Sequence, residues 1–302
     1  MPFTRRPAFN WQLRNRTIAL GEQTKIMGIL NVTPDSFSDG GQFDSIDKAI
    51  DQALTMLDEG AHILDIGGES TRPNAIPLSP EEEQQRVIPV IEAILKERPD
   101  VILSIDTFHA VTAQRAVEAG AGAEIVNDVS GLTWDSAMPD TCATLNCGVI
   151  LMHTRGRPNE WPLLRPIPPP DIMPIVIAGL RNSISAARSA GISNDRIVLD
   201  PGFGFGKIGN ENYTVLAHLH ELHQLGLPIL SGASRKGFLA RTLAPFYDET
   251  PAPIDKRVVA TTAANVASIL AGAHILRVHD VRAAVESAAI ADEILAATPE
   301  LS

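Results

Sequence analysis

Eight short apolar runs, each followed by a stretch of helical periodicity, constrain the fold of this chain more than any other feature. They span 26–30, 62–66, 101–105, 124–127, 149–152, 197–199, 228–230 and 274–278. Continuous apolar runs of this length, bounded by polar residues, Gly or Pro, are strands buried on both faces. The intervening stretch 46–59 places Ile46, Ile50, Ala53, Leu54 and Leu57 at three-and-four spacing and stops at Gly60, a C-cap residue. Ser79-Pro80-Glu81-Glu82 opens the next helix with an N-cap, a proline in the first position and acidic residues against the helix dipole. Further helices are expected near 110–119, 171–190, 211–225, 257–271 and 282–297. Strict alternation predicts a parallel sheet, and eight units is the number that closes a barrel. The expected fold is therefore α/β, a single (β/α)8 TIM barrel forming one domain over 1–302, with its core at about 25–298. Residues 8–24 alternate polar and apolar positions around Trp11, Leu13, Ile18 and Leu20, and read as a short β-hairpin ahead of the barrel. RPIPPPDIMP at 165–174 reads as a long, stiff loop.

Composition narrows the partners. Over 302 residues the chain is 44 % hydrophobic and carries a formal net charge of −11, which argues against a general nucleic-acid binder. An anionic ligand must then be held by a few locally placed Arg, Lys or main-chain groups. Cys142 and Cys147 are too few for a disulfide framework or a zinc site and read as reduced thiols. The first residues lack the apolar core of a secretory signal, and no run reaches about 18 apolar residues, so a soluble cytoplasmic protein without membrane partners is expected.

Barrel enzymes draw their working groups from the C-terminal ends of strands and the loops just beyond. Those ends carry Asn31, Asp65, Asp106, Asn127-Asp128, His153, Asp200, the run Ser231–Lys236, and Arg277 with His279. Helix capping is the competing reading for any one Asp there, weaker than the functional one and least weak for Asp65 and Asp128; the whole set is hard to explain that way. Asp106, Asn127 and Asp200 arise from three strands, and two carboxylates beside an amide suit a ligand with several N–H donors, such as the amino-pyrimidine edge of a purine or pterin. Metal ligation competes for the two Asp groups, but the Asn and the lack of a His cluster weaken it. Ser231–Lys236, Arg277 and His279 follow the last two strands, where barrels commonly hold phosphate. Lys236 as a Schiff-base lysine remains open on these residues alone. GGESTRP at 67–73 offers Ser70, Thr71 and Arg72. DPGFGFGK at 200–207 lacks the spacing of a nucleotide loop, and its glycines bring backbone and Phe205 close to a flat ligand.

NVTPDSFSDGG (31–41), DIGGESTRP (65–73), SIDT (104–107), NDVSG (127–131), LMH (151–153), DPGFGFGK (200–207), SGASRKGF (231–238) and RVHDV (277–281) together resemble the dihydropteroate synthase family, in order and over nearly the whole chain. The resemblance implies a homodimeric barrel that joins 6-hydroxymethyl-7,8-dihydropterin diphosphate to 4-aminobenzoate with the help of Mg²⁺. It implies that Asp106, Asn127, Asp200 and Lys236 hold the pterin, with Met152, Gly204 and Phe205 around its ring. Asn31 would contact Mg²⁺ and the diphosphate, which Arg277 and His279 would grip. Phe37, Asp39, Thr71, Arg72 and Pro73 would close over the site and, with Ser234, shape the aminobenzoate pocket. Pterin-binding methyltransferase barrels are the rival within the same chemistry, but they need neither the NVTPDSF loop, nor STRP, nor SRK. The stretch after His153 and Gly237 depart from the family pattern.

Overall fold

The computed structural model describes residues 3–32, 42–70, 77–118, 122–247 and 250–298. An antiparallel hairpin, β1 (Phe9–Gln12) and β2 (Thr17–Leu20), precedes eight parallel strands. These are β3 (Lys25–Asn31), β4 (Ile63–Gly67), β5 (Ile102–Asp106), β6 (Ile125–Asp128), β7 (Gly148–Met152), β8 (Ile197–Asp200), β9 (Leu230–Ser231) and β10 (Ile275–Val278). They hydrogen-bond in the order β8-β7-β6-β5-β4-β3-β10-β9, and a parallel bridge from Leu199 to Ile229 joins the two ends. The sheet is thus a closed TIM barrel, as the eight runs predict.

The helices are α1 (Gln42–Asp58), α2 (Pro80–Glu97), α3 (Ala110–Glu118), α4 (Met138–Leu145), α5 (Pro169–Ser189), α6 (Glu211–Ala217), α7 (Gly237–Leu243), α8 (Val258–Leu270) and α9 (Val281–Ala296). Local chemistry sets several ends. Ser79 caps α2 in a full capping box: its hydroxyl accepts from Glu82 N, and the Glu82 carboxylate accepts from Ser79 N. Gly60 follows α1 with φ +105°, where only glycine is unstrained.

The Pro-rich stretch departs from the expected loop. α5 begins at Pro169, because prolines at its start remove N–H groups that have no intrahelical acceptor there, and Pro174 costs a single later bond. The expected helix at 211–225 is α6 followed by a 3₁₀ segment, Leu219–Leu225. The helix α7 has no counterpart in the sequence periodicity; at seven residues it is too short to show one.

Two apolar layers hold the barrel. The outward faces of the strands pack against the helices. The inward faces at the N-terminal end, Met27, Ile63, Ile125, Ile150, Val198, Leu230 and Ile275, form a separate cluster with Trp11, Leu13, Ile18 and Leu20 of the hairpin. The hairpin therefore stoppers the bottom of the barrel. Trp11 Nε1 donates to Arg196 O at 2.9 Å, and Arg196 Nη1 donates back to Leu13 O at 2.8 Å. Gly148 makes room for the stopper, since a Cβ there would lie 2.7 Å from Leu13 Cδ2. Among the described residues no helix is long and apolar enough to cross a membrane.

Candidate active site

Above that dry layer the strand interior turns polar. Period-two alternation that points Ile63 inward also points Asp65 inward, and it does the same for Asn127, two residues after Ile125, and Arg277, two after Ile275. Arg277 is the centre of the cluster: Nε donates to Asp65 Oδ2 at 2.5 Å and Nη2 to Asp106 Oδ2 at 2.5 Å. Asn127 Nδ2 donates to the same Asp65 oxygen at 2.9 Å. Burial pushes the Asp106 pKa up to about 7; Arg277 opposes that shift and Asp65 reinforces it. Burial also works against the Arg277 charge, but the two carboxylates outweigh it and hold its pKa above the usual value. Asn31 ends β3 in register with Gly67, which is itself paired with Asp106.

The opposite side of the mouth is built on β8 and the glycine loop after it. Asp200 Oδ1 accepts from Gly202 N at 2.7 Å, and burial raises its pKa. Met152 pairs in register with Asp200 and is buried beside it. Lys236 Nζ lies 4.2 Å from the centre of the Phe205 ring, a cation–π contact. Gly204, at φ +84°, lets the Lys236 stem pass, because a Cβ would sit 3.3 Å from Lys236 Cδ. Lys207 shapes this loop from beneath. It is buried, and Nζ donates to His153 O at 3.1 Å and Gly202 O at 2.8 Å. Burial pushes its pKa down to about 7.

Beyond β9, Ser234 Oγ accepts from His279 N at 3.2 Å and lies 3.0 Å from His279 Nδ1. Burial, with Arg235, Arg277 and Lys236 nearby, pushes the His279 pKa down to about 3, so the ring is neutral and offers one N–H donor. Arg235 is occupied elsewhere, in a bidentate pair with Asp280.

The structure therefore gathers Asp106, Asn127 and Arg277 in one hydrogen-bonded group. Asp200, Lys236 and His279 are coupled to it through space, and Gly204, Phe205, Met152 and Ser234 surround them. Phe37, Asp39, Thr71, Arg72 and Pro73 lie outside the described residues. Two strand-end groups do not reach the mouth. Asp128 accepts from Ser130 N and Leu132 N and shapes a turn, the capping role weighed for it. His153 is buried against Gly179, and burial drives its pKa down to about 2. Asp65, for which capping is the competing reading, is instead the shared acceptor of the cluster. Lys207 carried no signal beyond its place at the end of the glycine loop.

A buried arrangement of carboxylates, amide and guanidinium, faced by a lysine on an aromatic ring at the open end of a TIM barrel, defines a pterin-binding enzyme. Residues 27–279 match the family described as pterin binding enzyme. The dihydropteroate synthase of Bacillus subtilis is 43 % identical over 274 residues, covering 91 % of this chain and 90 % of its own length. A Clostridium difficile dihydropteroate synthase solved with pteroic acid has a TM-score of 0.82 at 42 % identity, covering 91 % of this chain and 98 % of that one. The Xanthomonas albilineans enzyme solved with 4-aminobenzoic acid has a TM-score of 0.83 at 39 % identity, covering 97 % of this chain and 100 % of that one. This chain belongs to the dihydropteroate synthase family, transferases that condense the pterin diphosphate with 4-aminobenzoate to give 7,8-dihydropteroate and pyrophosphate in folate biosynthesis.

Proposed function

We propose that this chain runs the condensation by ionisation, with departure of pyrophosphate preceding attack by the arylamine. The observation that carries this reading is the Arg277 cluster, in which one guanidinium holds two carboxylates at the mouth; in this reading they stabilise the positive charge that develops on the pterin. Asp106, Asn127 and Asp200 accept and orient the N–H groups of the pterin edge, and Lys236 and Phe205 border its ring. The exocyclic C–O bond breaks with its electron pair leaving on the diphosphate. The amine of 4-aminobenzoate then attacks the exocyclic carbon and loses a proton. Charge stabilisation supplies the rate, and no protein nucleophile is needed.

Among the described residues, Arg277 Nη1 has no protein hydrogen bond, and it joins the neutral His279 in gripping the diphosphate. Asn31 fits Mg²⁺, because an amide oxygen is a hard neutral donor and Mg²⁺ is commonly held by one or two protein oxygens plus phosphate and water. When bound, the ion neutralises charge on the leaving group. Ser234 positions His279 and borders the aminobenzoate side. Phe37, Asp39, Thr71, Arg72 and Pro73 complete that side in the same reading. A homodimer is part of the proposal: Phe246, Ile254 and Val259 expose 76 %, 46 % and 80 % of their surface on neighbouring elements around α7 and α8, an apolar face of the kind a second copy covers. Pyrophosphate release from the pterin diphosphate is the test: release that depends on Mg²⁺, increases with 4-aminobenzoate and disappears in Lys236→Ala supports the reading. No release in the presence of both substrates and Mg²⁺ overturns it.

A further inference from the structure

At the rim of the barrel mouth, three potential ligands converge from three elements: Glu69 just after β4, Glu83 on α2 and His109 just after β5. One ligand atom from each lies within 4.8 Å of the other two. His109 Nδ1 is 3.1 Å from Glu83 Oε2 and 3.9 Å from Glu69 Oε2. We propose that these side chains form a site for a divalent transition-metal ion, zinc by preference, separate from the diphosphate-binding groups.

Glu69 Oε2 supplies the independent sign of a missing partner. The side chain is 8 % exposed, and among the described residues Oε2 is buried without a hydrogen-bond partner. Among the described residues the other oxygen receives a single long contact, from Leu78 N at 3.4 Å. This oxygen lies beside Glu83, 1 % exposed, so two acidic side chains are desolvated together. Arg86 acts on Glu69 through space while its guanidinium donates to Gly68 O at 3.0 Å, and burial outweighs that help. The close approach is built into the backbone. A Cβ on Gly68 would lie 2.8 Å from Val87 Cγ1 and 3.3 Å from Glu83 O, so only glycine brings the end of β4 this near α2.

Donor chemistry selects the ion. One imidazole and two carboxylates suit zinc or a similar first-row ion and leave a coordination position for water, whereas Mg²⁺ prefers an all-oxygen shell. The surrounding groups are already oriented for ligation. Thr107 Oγ1 donates to Glu83 Oε2 at 2.8 Å and accepts from His109 N at 3.1 Å, fixing both ligands through one hydroxyl. Binding requires Nδ1 without its proton, so uptake releases a proton and weakens in acid. Bound there, the ion ties the residues leaving β4 and β5 to α2.

The test is equilibrium dialysis of the chelator-treated full-length chain against micromolar zinc, with Mg²⁺ present throughout. Wild type is expected to take up one zinc per chain, to gain roughly 5 °C in Tm at about a hundredfold excess over Kd, and to show visible absorption with cobalt in place of zinc. Glu69→Gln and His109→Ala should each weaken uptake at least about tenfold. They should also abolish the cobalt spectrum while keeping the metal-free circular dichroism and Tm of wild type. Absence of stoichiometric uptake by wild type overturns the proposal. So does uptake that survives in His109→Ala.

Discussion

Asp65→Asn separates the electrostatic role of the Arg277 cluster from its shape. The substitution preserves volume and leaves an amide oxygen able to accept from Arg277 Nε and Asn127 Nδ2, so the fold should persist. What it removes is a negative charge in a fully buried position next to Asp106. Burial is the first cause of the high Asp106 pKa, near 7, and repulsion from Asp65 adds to it. Two unit charges about 5 Å apart at an effective dielectric of about 20 repel by about 3 kcal/mol, which corresponds to about 2 pH units. In the proposed mechanism the ionised form of Asp106 is the one that stabilises positive charge on the pterin. In wild type, kcat/KM for the pterin diphosphate should therefore rise with pH through a limb near pH 7, as the carboxylate forms. In Asp65→Asn that limb should move toward pH 5, while the high-pH plateau falls because Arg277 loses one of its two carboxylates. Asp106→Asn should lose the limb altogether. The assay is steady-state pyrophosphate release from pH 5 to 9, with circular dichroism confirming the fold. A limb that stays at the wild-type position in a folded Asp65→Asn would refute the idea that Asp65 sets the ionisation of Asp106.

Three further perturbations probe the supports of the site. Trp11→Ala removes the largest side chain of the barrel stopper and its hydrogen bond to Arg196 O, and should cost about 3–5 kcal/mol in urea unfolding. His274 is wholly buried, with Ile229 N donating to Nδ1 at 3.1 Å and Nε2 lying 3.0 Å from Pro7 O, which assigns the neutral Nε2–H tautomer. Burial lowers its pKa from 6.5 to about 4, so its contribution is intact above pH 6.5 and is lost as pH falls toward 4. Unfolding free energy should drop by about 2 kcal/mol from this residue between pH 7 and 5, and His274→Gln should flatten that part of the profile. Lys207→Met leaves His153 O and Gly202 O without their donor, and should raise KM for the pterin diphosphate more than it lowers kcat, measured as initial rates of pyrophosphate release.

The barrel was legible because its signal is repeated. Each strand run is ambiguous alone, but eight in strict alternation with helices leave few topologies. Position along a strand then carried the site: the end residues Asp106, Asn127, Asp200 and Arg277 were readable, because parity and strand end together decide what points into the mouth. Parity also separates Asp65 from Asp128, since Asp65 lies two residues after the inward Ile63 and Asp128 three after the inward Ile125. That signal was present and depended on knowing the register of β4 and β6. Lys207 and α7 were not legible. Lys207 works through main-chain carbonyls, which leave no mark on residue type, and α7 is too short to display a period. The prolines of α5 misled because the same residues stiffen a loop and start a helix.

The hairpin gives the polar cluster its energetic setting. A barrel interior open at both ends would let water reach Asp65 and Arg277 from below, and screening would weaken every interaction among them. With Trp11 and Leu13 seated against Met27, Ile63 and Ile275, the lower interior is dry, and solvent approaches the charged layer only from the mouth. The carboxylates are then held by Arg277 and Asn127 in place of water, and they need little reorganisation when charge develops on the substrate. In the proposed mechanism, bound pterin excludes water from above. The sequence outside the barrel core thus contributes to catalysis without touching a substrate. A stopper variant that stays folded but admits water should accordingly lower the Asp106 pKa, because its first cause is burial, and shift the acid limb of the rate profile downward. Leu13→Ala is the variant to measure, since Leu13 packs over Gly148 at the base of β7, remote from every substrate-facing group. An unchanged limb in that variant would mean that the dryness of the charged layer comes from the strands alone.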